Sequence, residues 1–198
     1  MKTTEVLEVV RSCVPASTAF VSTLGRTSEE VFRLFPEQTL FLDSMGDVSP
    51  LACGIALGLA PHHPVVALDS DGSHLMGISF LGTLASIVQR IPNLALIVLD
   101  NGIYESSGGL PSRAFNLDWT LLGQAFGLNI HVTESRTECE THLRKAFSEC
   151  LYIVARVENS PDVPSVQKNM DGIESKYRFI RHLERVLNRK LLQPAVKS

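Results

Sequence analysis

The sequence lacks the long apolar run that a membrane-spanning helix requires. Its longest apolar stretches are strand-sized, well short of about eighteen residues, so we expect no membrane segment. It also lacks an excess of either charge, because 18 Lys and Arg residues face 21 Asp and Glu residues, for a net charge of −3. This balance gives no indication that the chain binds nucleic acid or a membrane surface.

The cysteines lack the short paired spacing of a zinc site or a disulfide framework. There are only four of them, at positions 13, 53, 139 and 150. Neither a zinc site nor a set of disulfides is therefore expected. Reduced thiols in apolar segments are typical of cytoplasmic proteins, and we predict a cytoplasmic location.

What the chain does contain is a regular alternation of apolar strands and helical segments. Its 198 residues are 44% hydrophobic, which suits one domain better than two. Continuously apolar strands separated by helices predict an α/β fold with a parallel sheet covered on both faces. We expect a single domain over residues 1–198, in which residues 170–198 form a C-terminal helix and tail. The predicted strands are 19–22, 40–42, 65–69, 94–99, 130–132 and 152–157.

Two predicted strands end in turns that carry hard oxygen ligands. Asp71-Gly72-Ser73 follows strand 65–69, and Asp100-Asn101-Gly102 follows strand 94–99. In an open α/β sheet, ligands bind at the carboxyl ends of the strands. An Asp carboxylate, an Asn amide oxygen and a loop carbonyl suit Mg²⁺ bound to phosphate oxygens. Either dipeptide alone would indicate only a turn, but the pair predicts a site for a magnesium-bound diphosphate.

Two further loops belong to the same predicted edge of the sheet. Asp43-Ser44-Met45-Gly46 precedes a helix rich in small residues, and Met45 is either a ligand contact or a core residue that fills a gap. Tyr104-Glu105-Ser106-Ser107-Gly108-Gly109 follows Asn101 directly. This second loop is either a flexible linker or a loop that folds over a bound cofactor.

Several ionisable residues near these motifs are candidates for chemical roles. His74 follows Ser73 and is either an acid–base catalyst or a hydrogen-bonded histidine at a helix start. Glu105 is the carboxylate of the loop after Asn101, and it is either catalytic or solvated. Arg26 and Arg113 lie near predicted strand ends, where a cation can bind an anionic substrate.

Taken together, these motifs resemble those of thiamine diphosphate-dependent decarboxylases. The chain is similar to the pyrophosphate-binding (C-terminal-type) domain of these enzymes, as found in the beta subunit of sulfopyruvate decarboxylase and in the C-terminal part of phosphonopyruvate decarboxylase. The similarity covers roughly residues 17–160. It implies the three-layer thiamine diphosphate-binding fold, with a central parallel sheet of about six strands and helices on both faces.

The resemblance also implies the roles of individual residues. Asp71, Asn101 and the carbonyl of Ile103 match the ligands of Mg²⁺, and Gly72 with Ser73 matches the diphosphate cradle. Met45 matches the apolar residue that supports the bent cofactor, next to a backbone that binds its aminopyrimidine ring. The full set of implied cofactor-binding residues is Asp43, Ser44, Met45, Gly46, Asp71, Gly72, Ser73, Asn101, Ile103 and Tyr104.

Two departures from the family pattern lie close to the motif. Ser70 stands where the motif usually has glycine, and the spacing from Asp71 to Asn101 is a few residues longer than usual. A longer connecting helix or a bulge, within the helix that we predict over 75–90, would absorb the extra residues.

The resemblance finally implies a function that this chain performs with a partner. Family members use a Glu from a separate pyrimidine-binding domain, for which 198 residues leave no room. We therefore expect a partner subunit of similar size, in an α2β2 or larger assembly that decarboxylates a 3-substituted pyruvate, a small 2-oxo acid. A carboligase or acyl-transfer subunit and a catalytically silent regulatory module of the same fold are the alternatives.

Overall fold

A six-stranded parallel sheet forms the centre of the structure, a computed structural model that describes residues 1–59, 61–158 and 171–192. The strand order is β2-β1-β3-β4-β8-β7, and all neighbouring strands are parallel. A separate antiparallel hairpin, β5–β6, follows β4. The strands are β1 (Ala19–Ser22), β2 (Thr39–Phe41), β3 (Val65–Ser70), β4 (Leu94–Asp100), β5 (Ile103–Tyr104), β6 (Leu110–Pro111), β7 (His131–Thr133) and β8 (Leu151–Arg156).

Helices cover both faces of this sheet. Two apolar clusters form the core, one on each face: α3, α5, α6 and α8 contribute to the first, and α1, α2 and α7 to the second. This arrangement confirms the predicted three-layer α/β fold. The helices are α1 (Thr3–Cys13), α2 (Arg26–Leu34), α3 (Val48–Leu59), α4 (Asp71–Met76), α5 (Leu81–Ile87), α6 (Trp119–Phe126), α7 (Arg136–Leu143) and α8 (Gly172–Leu187).

The central strands are apolar on both sides because helices bury both sides. Along β3, Val65 and Ala67 belong to one cluster, whereas Val66 and Leu68 belong to the other. All seven residues of β4 are buried. The β3–β4 register pairs Ser70 with Leu99, so the two ligand-bearing turns emerge at the same end of the sheet.

The helix predicted over residues 75–90 is in fact broken into four pieces. After α4, the chain continues as a 3₁₀ turn at 78–80, α5, and a second 3₁₀ turn at 88–90. The first break lies at Gly77, where the backbone of the loop before α3 approaches closely: a Cβ on Gly77 would lie 2.2 Å from the carbonyl oxygen of Gly46. The broken path accommodates the long connection between Asp71 and Asn101.

The C-terminal helix packs on the edge of the sheet next to β2. Ser175 of α8 accepts a hydrogen bond from the amide of Phe41 at 3.0 Å. Residue 170 and the predicted tail after 192 lie outside the described residues, so the C-terminal tail stays a prediction. Among the residues that the structure describes, no helix is both long and apolar enough to cross a membrane.

Candidate functional site

A cavity of about 320 Å³ opens at the carboxyl ends of β1, β3 and β4. The turns after these strands form its walls. Ligands of open α/β sheets bind at this end of the strands, where the strand order reverses. Residues from all three predicted loops meet in it, although they are up to 60 positions apart in the sequence. The predicted site residues that line it are Met45, Gly72, Asn101, Ile103, Tyr104 and Glu105.

Asp71 lies beside this cavity at the start of α4 and is fully buried. Its Oδ2 accepts a hydrogen bond from the hydroxyl of Ser112. Its Oδ1 accepts no well-formed hydrogen bond from the described residues, although the amides of Asp71 and Gly72 favour the charged form weakly. Burial raises the pKa of Asp71 to about 6, against the opposing effect of the Ser112 hydrogen bond. This carboxylate is one that a bound cation would stabilise.

Gly72 is the point where the loop after β4 touches the turn after β3. A Cβ on Gly72 would lie 2.2 Å from Cε1 of Tyr104, so the tyrosine ring rests directly on the glycine backbone. Only glycine leaves room for this contact. The two predicted halves of the diphosphate site are therefore packed against each other.

The loop that carries Asn101 is held by its own hydrogen bonds. The Oδ1 of Asn101 accepts from the amide of Ile103 at 3.1 Å, and its Nδ2 donates to Oε1 of Glu105 at 3.2 Å. The Oδ1 keeps a second lone pair for a metal, because a carbonyl oxygen has two. These two hydrogen bonds hold the side chain of Asn101 in one orientation.

A buried carboxylate just before Asn101 anchors the base of this loop. Asp100 is fully buried, and its Oδ2 accepts from Nε1 of Trp119 at 2.9 Å and from the guanidinium of Arg156. Its Oδ1 accepts from the amide of Gly102 at 3.2 Å. Both oxygens of Asp100 are therefore used for structure, which leaves Asp71 as the carboxylate available to a ligand.

The loop Asp43–Gly46 reaches the cavity through Met45, as predicted. Gly46 has a φ of +87° and donates its amide to the hydroxyl of Ser73 at 3.1 Å. Ser44 donates to Oδ2 of Asp47 at 2.6 Å, and the carboxylate of Asp43 lies next to Gly172 at the start of α8. The side chain of Ser44 thus holds the loop through Asp47, while Met45 lines the cavity.

Ser73 and His74 both lie in the interior, which for His74 agrees with the hydrogen-bonded alternative. Ser73 is fully buried, and its hydroxyl oxygen fixes the Met45 loop by accepting a hydrogen bond from the amide of Gly46. His74 is 3% exposed and does not line the cavity. Its Nδ1 lies 3.2 Å from Oγ of Ser49, and its Nε2 is hydrogen-bonded to the hydroxyl of Tyr152. Because both ring nitrogens are engaged in the interior, this placement argues against an acid–base role for His74.

The remaining charged candidates separate into two groups. Glu105 and Arg26 line the cavity. Glu105 is exposed to solvent and accepts a hydrogen bond from the side-chain amide of Asn101. Arg113 is exposed, with a left-handed φ of +67°, and lies outside the lining of the cavity. Of the two arginines, only Arg26 is positioned to meet a ligand there.

Sequence reasoning missed the residue that binds Asp71. Ser112 comes 41 positions after Asp71, just beyond the hairpin that the Ser-Gly-rich loop forms. The sequence singled out that loop, but a serine after a Pro carries no signal of its own. The contact becomes visible only when the hairpin returns the chain to the start of α4.

The donor set fits Mg²⁺ bound to phosphate oxygens better than a protein-only metal centre. Among the described residues, no group of three or more His, Cys, Asp or Glu side chains could hold a metal ion. One buried carboxylate oxygen, one amide oxygen and a loop carbonyl leave several coordination positions for ligand and water oxygens, as is usual for Mg²⁺.

Comparison with known proteins shows the family to which this chain is similar. Residues 25–155 match the family described as "Thiamine pyrophosphate enzyme, C-terminal TPP binding domain". The chain is 34% identical over 146 residues to the phosphonopyruvate decarboxylase of Streptomyces hygroscopicus, covering 72% of this chain and 35% of that protein. It therefore spans about a third of the length of that relative.

A second relative is close to this chain in length. The beta subunit of sulfopyruvate decarboxylase from Methanothermobacter thermautotrophicus is 30% identical over 168 residues, covering 82% of this chain and 85% of that subunit. Among solved structures, the thiamine diphosphate-dependent 4-hydroxybenzoylformate decarboxylase of Rhodococcus jostii RHA1 superposes with a TM-score of 0.68 at 21% identity, over 81% of this chain and 33% of that one. The latter similarity shows the fold alone. From the matched residues and the cavity they build, the chain belongs to the family of C-terminal TPP-binding domains of thiamine pyrophosphate enzymes.

Proposed function

We propose that this chain is the diphosphate-binding subunit of a two-subunit thiamine diphosphate-dependent decarboxylase that acts on a 3-substituted pyruvate. The observation that carries the proposal is the cavity in which Met45, Gly72 and Asn101 meet beside the buried carboxylate of Asp71. Bound thiamine diphosphate would supply the electron sink for the loss of CO₂ from a 2-oxo acid.

The residues of the chain would divide the work of binding this cofactor. Asp71, Asn101 and the carbonyl of Ile103 would hold Mg²⁺ against the diphosphate. Met45 would support the bent cofactor from the cavity wall, with the carbonyl of Asp43 and its own amide toward the aminopyrimidine. By holding the cofactor in one orientation, these residues would lower the entropic part of the barrier.

The departure at Ser70 does not favour a silent module. Ser70 has φ −99° and ψ 155°, an extended conformation that any residue adopts, so no glycine is required there. The register of β3 and β4 keeps both turns at one level despite the long connection. The geometry thus supports binding competence rather than a vestigial site.

The length of the relatives supports a partner subunit that completes the site. The phosphonopyruvate decarboxylase is nearly three times as long as the segment that matches this chain, whereas the relative of similar length is named as a beta subunit. We propose that the partner carries the pyrimidine-binding domain and its catalytic Glu, in an α2β2 or larger assembly.

The surface of α3 and of residues 72–89, which follow β3, supports the proposal of a partner subunit. Residues 48–59 and 72–89 contain no Asp, Glu, Lys or Arg, yet Leu51 is 36% and Met76 is 60% exposed. On the opposite layer, α7 presents charged side chains such as Arg136 and Arg144 to solvent. Exposed apolar side chains in uncharged segments are typical of a protein interface, and the backbone of Met76 lies beside Gly46 of the Met45 loop.

The proposal is tested by titrating the chain, mixed with its partner subunit, with thiamine diphosphate and Mg²⁺. We expect binding that Asp71→Ala abolishes, followed by turnover of a 2-oxo acid that carries an anionic substituent at C3. Assays with and without an acceptor aldehyde separate decarboxylation from carboligation. Failure of the mixture to bind, or binding that Asp71→Ala leaves unchanged, would contradict the proposal.

A further inference from the structure

Ser112 connects the two turns of the cofactor site, although it belongs to neither. It follows β6, is 5% exposed, and donates its hydroxyl proton to Oδ2 of Asp71. Its own amide donates to the carbonyl of Gly102 at 2.9 Å. One residue therefore joins the carboxylate after β3 to the loop after β4.

We propose that Ser112 is a positioning residue that fixes the carboxylate of Asp71 so that Oδ1 is presented to the divalent cation. The inference rests on the proposed function, because it assigns a role in the same metal site. Residues that hydrogen-bond to metal ligands orient those ligands, and their loss typically weakens metal binding about 10- to 100-fold.

The direction of the Ser112–Asp71 hydrogen bond is set by a neighbouring amide. The Oγ of Ser112 accepts from the amide of Ala114 at 3.3 Å. Because a hydroxyl has one proton, that proton is left for Oδ2 of Asp71, which accepts it. The bond therefore fixes Oδ2 and leaves Oδ1 as the oxygen without a partner among the described residues.

The same contact makes the geometry of the metal site depend on the hairpin. The hairpin pairs Ile103 with Pro111 and Tyr104 with Leu110, so Ser112 reaches Asp71 only when these strands are paired. Because Ser112 also binds Gly102, next to Asn101, formation of the hairpin brings the two side-chain metal ligands into one fixed arrangement. The Ser-Gly-rich loop is thus a structural part of the metal site and not only a cover.

The test compares Mg²⁺ binding by three Ser112 variants and one control, each as the full chain mixed with its partner subunit. Isothermal titration calorimetry measures the Kd of Mg²⁺ at saturating thiamine diphosphate. We expect Ser112→Ala to weaken Mg²⁺ binding about 10- to 100-fold, and Ser112→Cys, a weak donor of similar size, to weaken it also. Ser112→Thr keeps the hydroxyl and should restore binding to within a few-fold. Thr141→Ala, which removes an exposed hydroxyl that donates to the carbonyl of Thr137 within α7, should bind as the wild type does.

A purely structural role for Ser112 would give a different pattern. Thermal unfolding of the metal-free variants measures that role, and we expect the Kd of Mg²⁺ to change for Ser112→Cys even where the midpoint of unfolding does not. If Ser112→Ala fails to fold, the comparison between Ser112→Cys and Ser112→Thr decides. Wild-type Mg²⁺ affinity in the folded alanine or cysteine variant would overturn the inference and leave the proposed function intact. Absence of binding by the wild-type mixture would overturn both.

Discussion

Replacing Gly72 with alanine places a methyl group against the ring of Tyr104. The added Cβ would lie 2.2, 2.6 and 2.9 Å from three ring carbons of Tyr104, whereas ordinary van der Waals contacts begin near 3.4 Å. The ring must therefore move away from the glycine. Overpacking of this kind costs about 1–3 kcal/mol of the free energy of unfolding, and we expect Gly72→Ala to destabilise the metal-free chain by that amount.

The sign of the effect should reverse when the ring is absent. The φ of Gly72 is not in the left-handed region, and the residue lies inside α4. Alanine is favoured over glycine in a helix by about 0.5–1 kcal/mol. In the Tyr104→Ala background, Gly72→Ala should therefore be neutral or stabilising by up to about 1 kcal/mol.

Urea denaturation of the four chains, followed by the fluorescence of the single tryptophan, measures this cycle. Trp119 is buried in the folded chain, so its fluorescence changes when the chain unfolds. Gly54→Ala is the control, because Gly54 lies inside α3 and its added Cβ would meet no described atom within 4 Å beyond its chain neighbours and the nearby backbone of its own helix. It should stabilise both backgrounds equally. If Gly72→Ala destabilises to the same extent with and without the Tyr104 ring, the inferred packing of the two turns is wrong.

Two further predictions concern the partner surface and a buried acid. Leu51→Glu should weaken association with the partner subunit at least tenfold, as measured by analytical ultracentrifugation, without changing the unfolding of the isolated chain. Thr141→Glu on α7 is the control and should change neither quantity. Equal association of the two variants would contradict the assignment of the partner surface. Glu30 is 5% exposed, and burial raises its pKa above the usual 4.5. Because the folded chain then holds this proton more tightly than the unfolded chain, the stability contributed by Glu30 falls as the pH rises above about 4.5. Glu30→Gln should lack that loss, so its stability relative to the wild type, from urea denaturation, should increase between pH 4 and pH 7; a constant difference would refute the burial effect.

The sequence predicted the sheet and the position of the site because both depend on local patterns. Apolar strands such as Leu94–Asp100 must be buried on both faces, and turns at their carboxyl ends must meet at one edge. The register that pairs Ser70 with Leu99 confirms this expectation. Met45 and Asn101 follow from the same reasoning, since each lies directly after or near a predicted strand end.

What the sequence did not predict depends on contacts between distant segments. The helix over 75–90 breaks at Gly77 because the backbone of Gly46 occupies the space beside it, and no helical pattern contains that information. His74 was left open between catalysis and structure, and its contacts with Ser49 and Tyr152 on other elements decide its placement. Such contacts arise when α3, α4 and β8 pack together, so sequence spacing cannot specify them.

Asp71 and Asp100, both buried at the carboxyl ends of their strands, show how one fold separates structure from ligand binding. Asp100 uses both carboxylate oxygens for Trp119, Arg156 and Gly102, so its charge is balanced before any ligand arrives. Asp71 uses one oxygen, and its raised pKa shows that burial of its charge is only partly offset. A cation that binds the folded state and not the unfolded state raises the free energy of unfolding in proportion to the logarithm of the cation concentration. Because the uncompensated charge lies on Asp71 and not on Asp100, that stabilisation should disappear in Asp71→Ala, which links loading of the site directly to the stability of the fold.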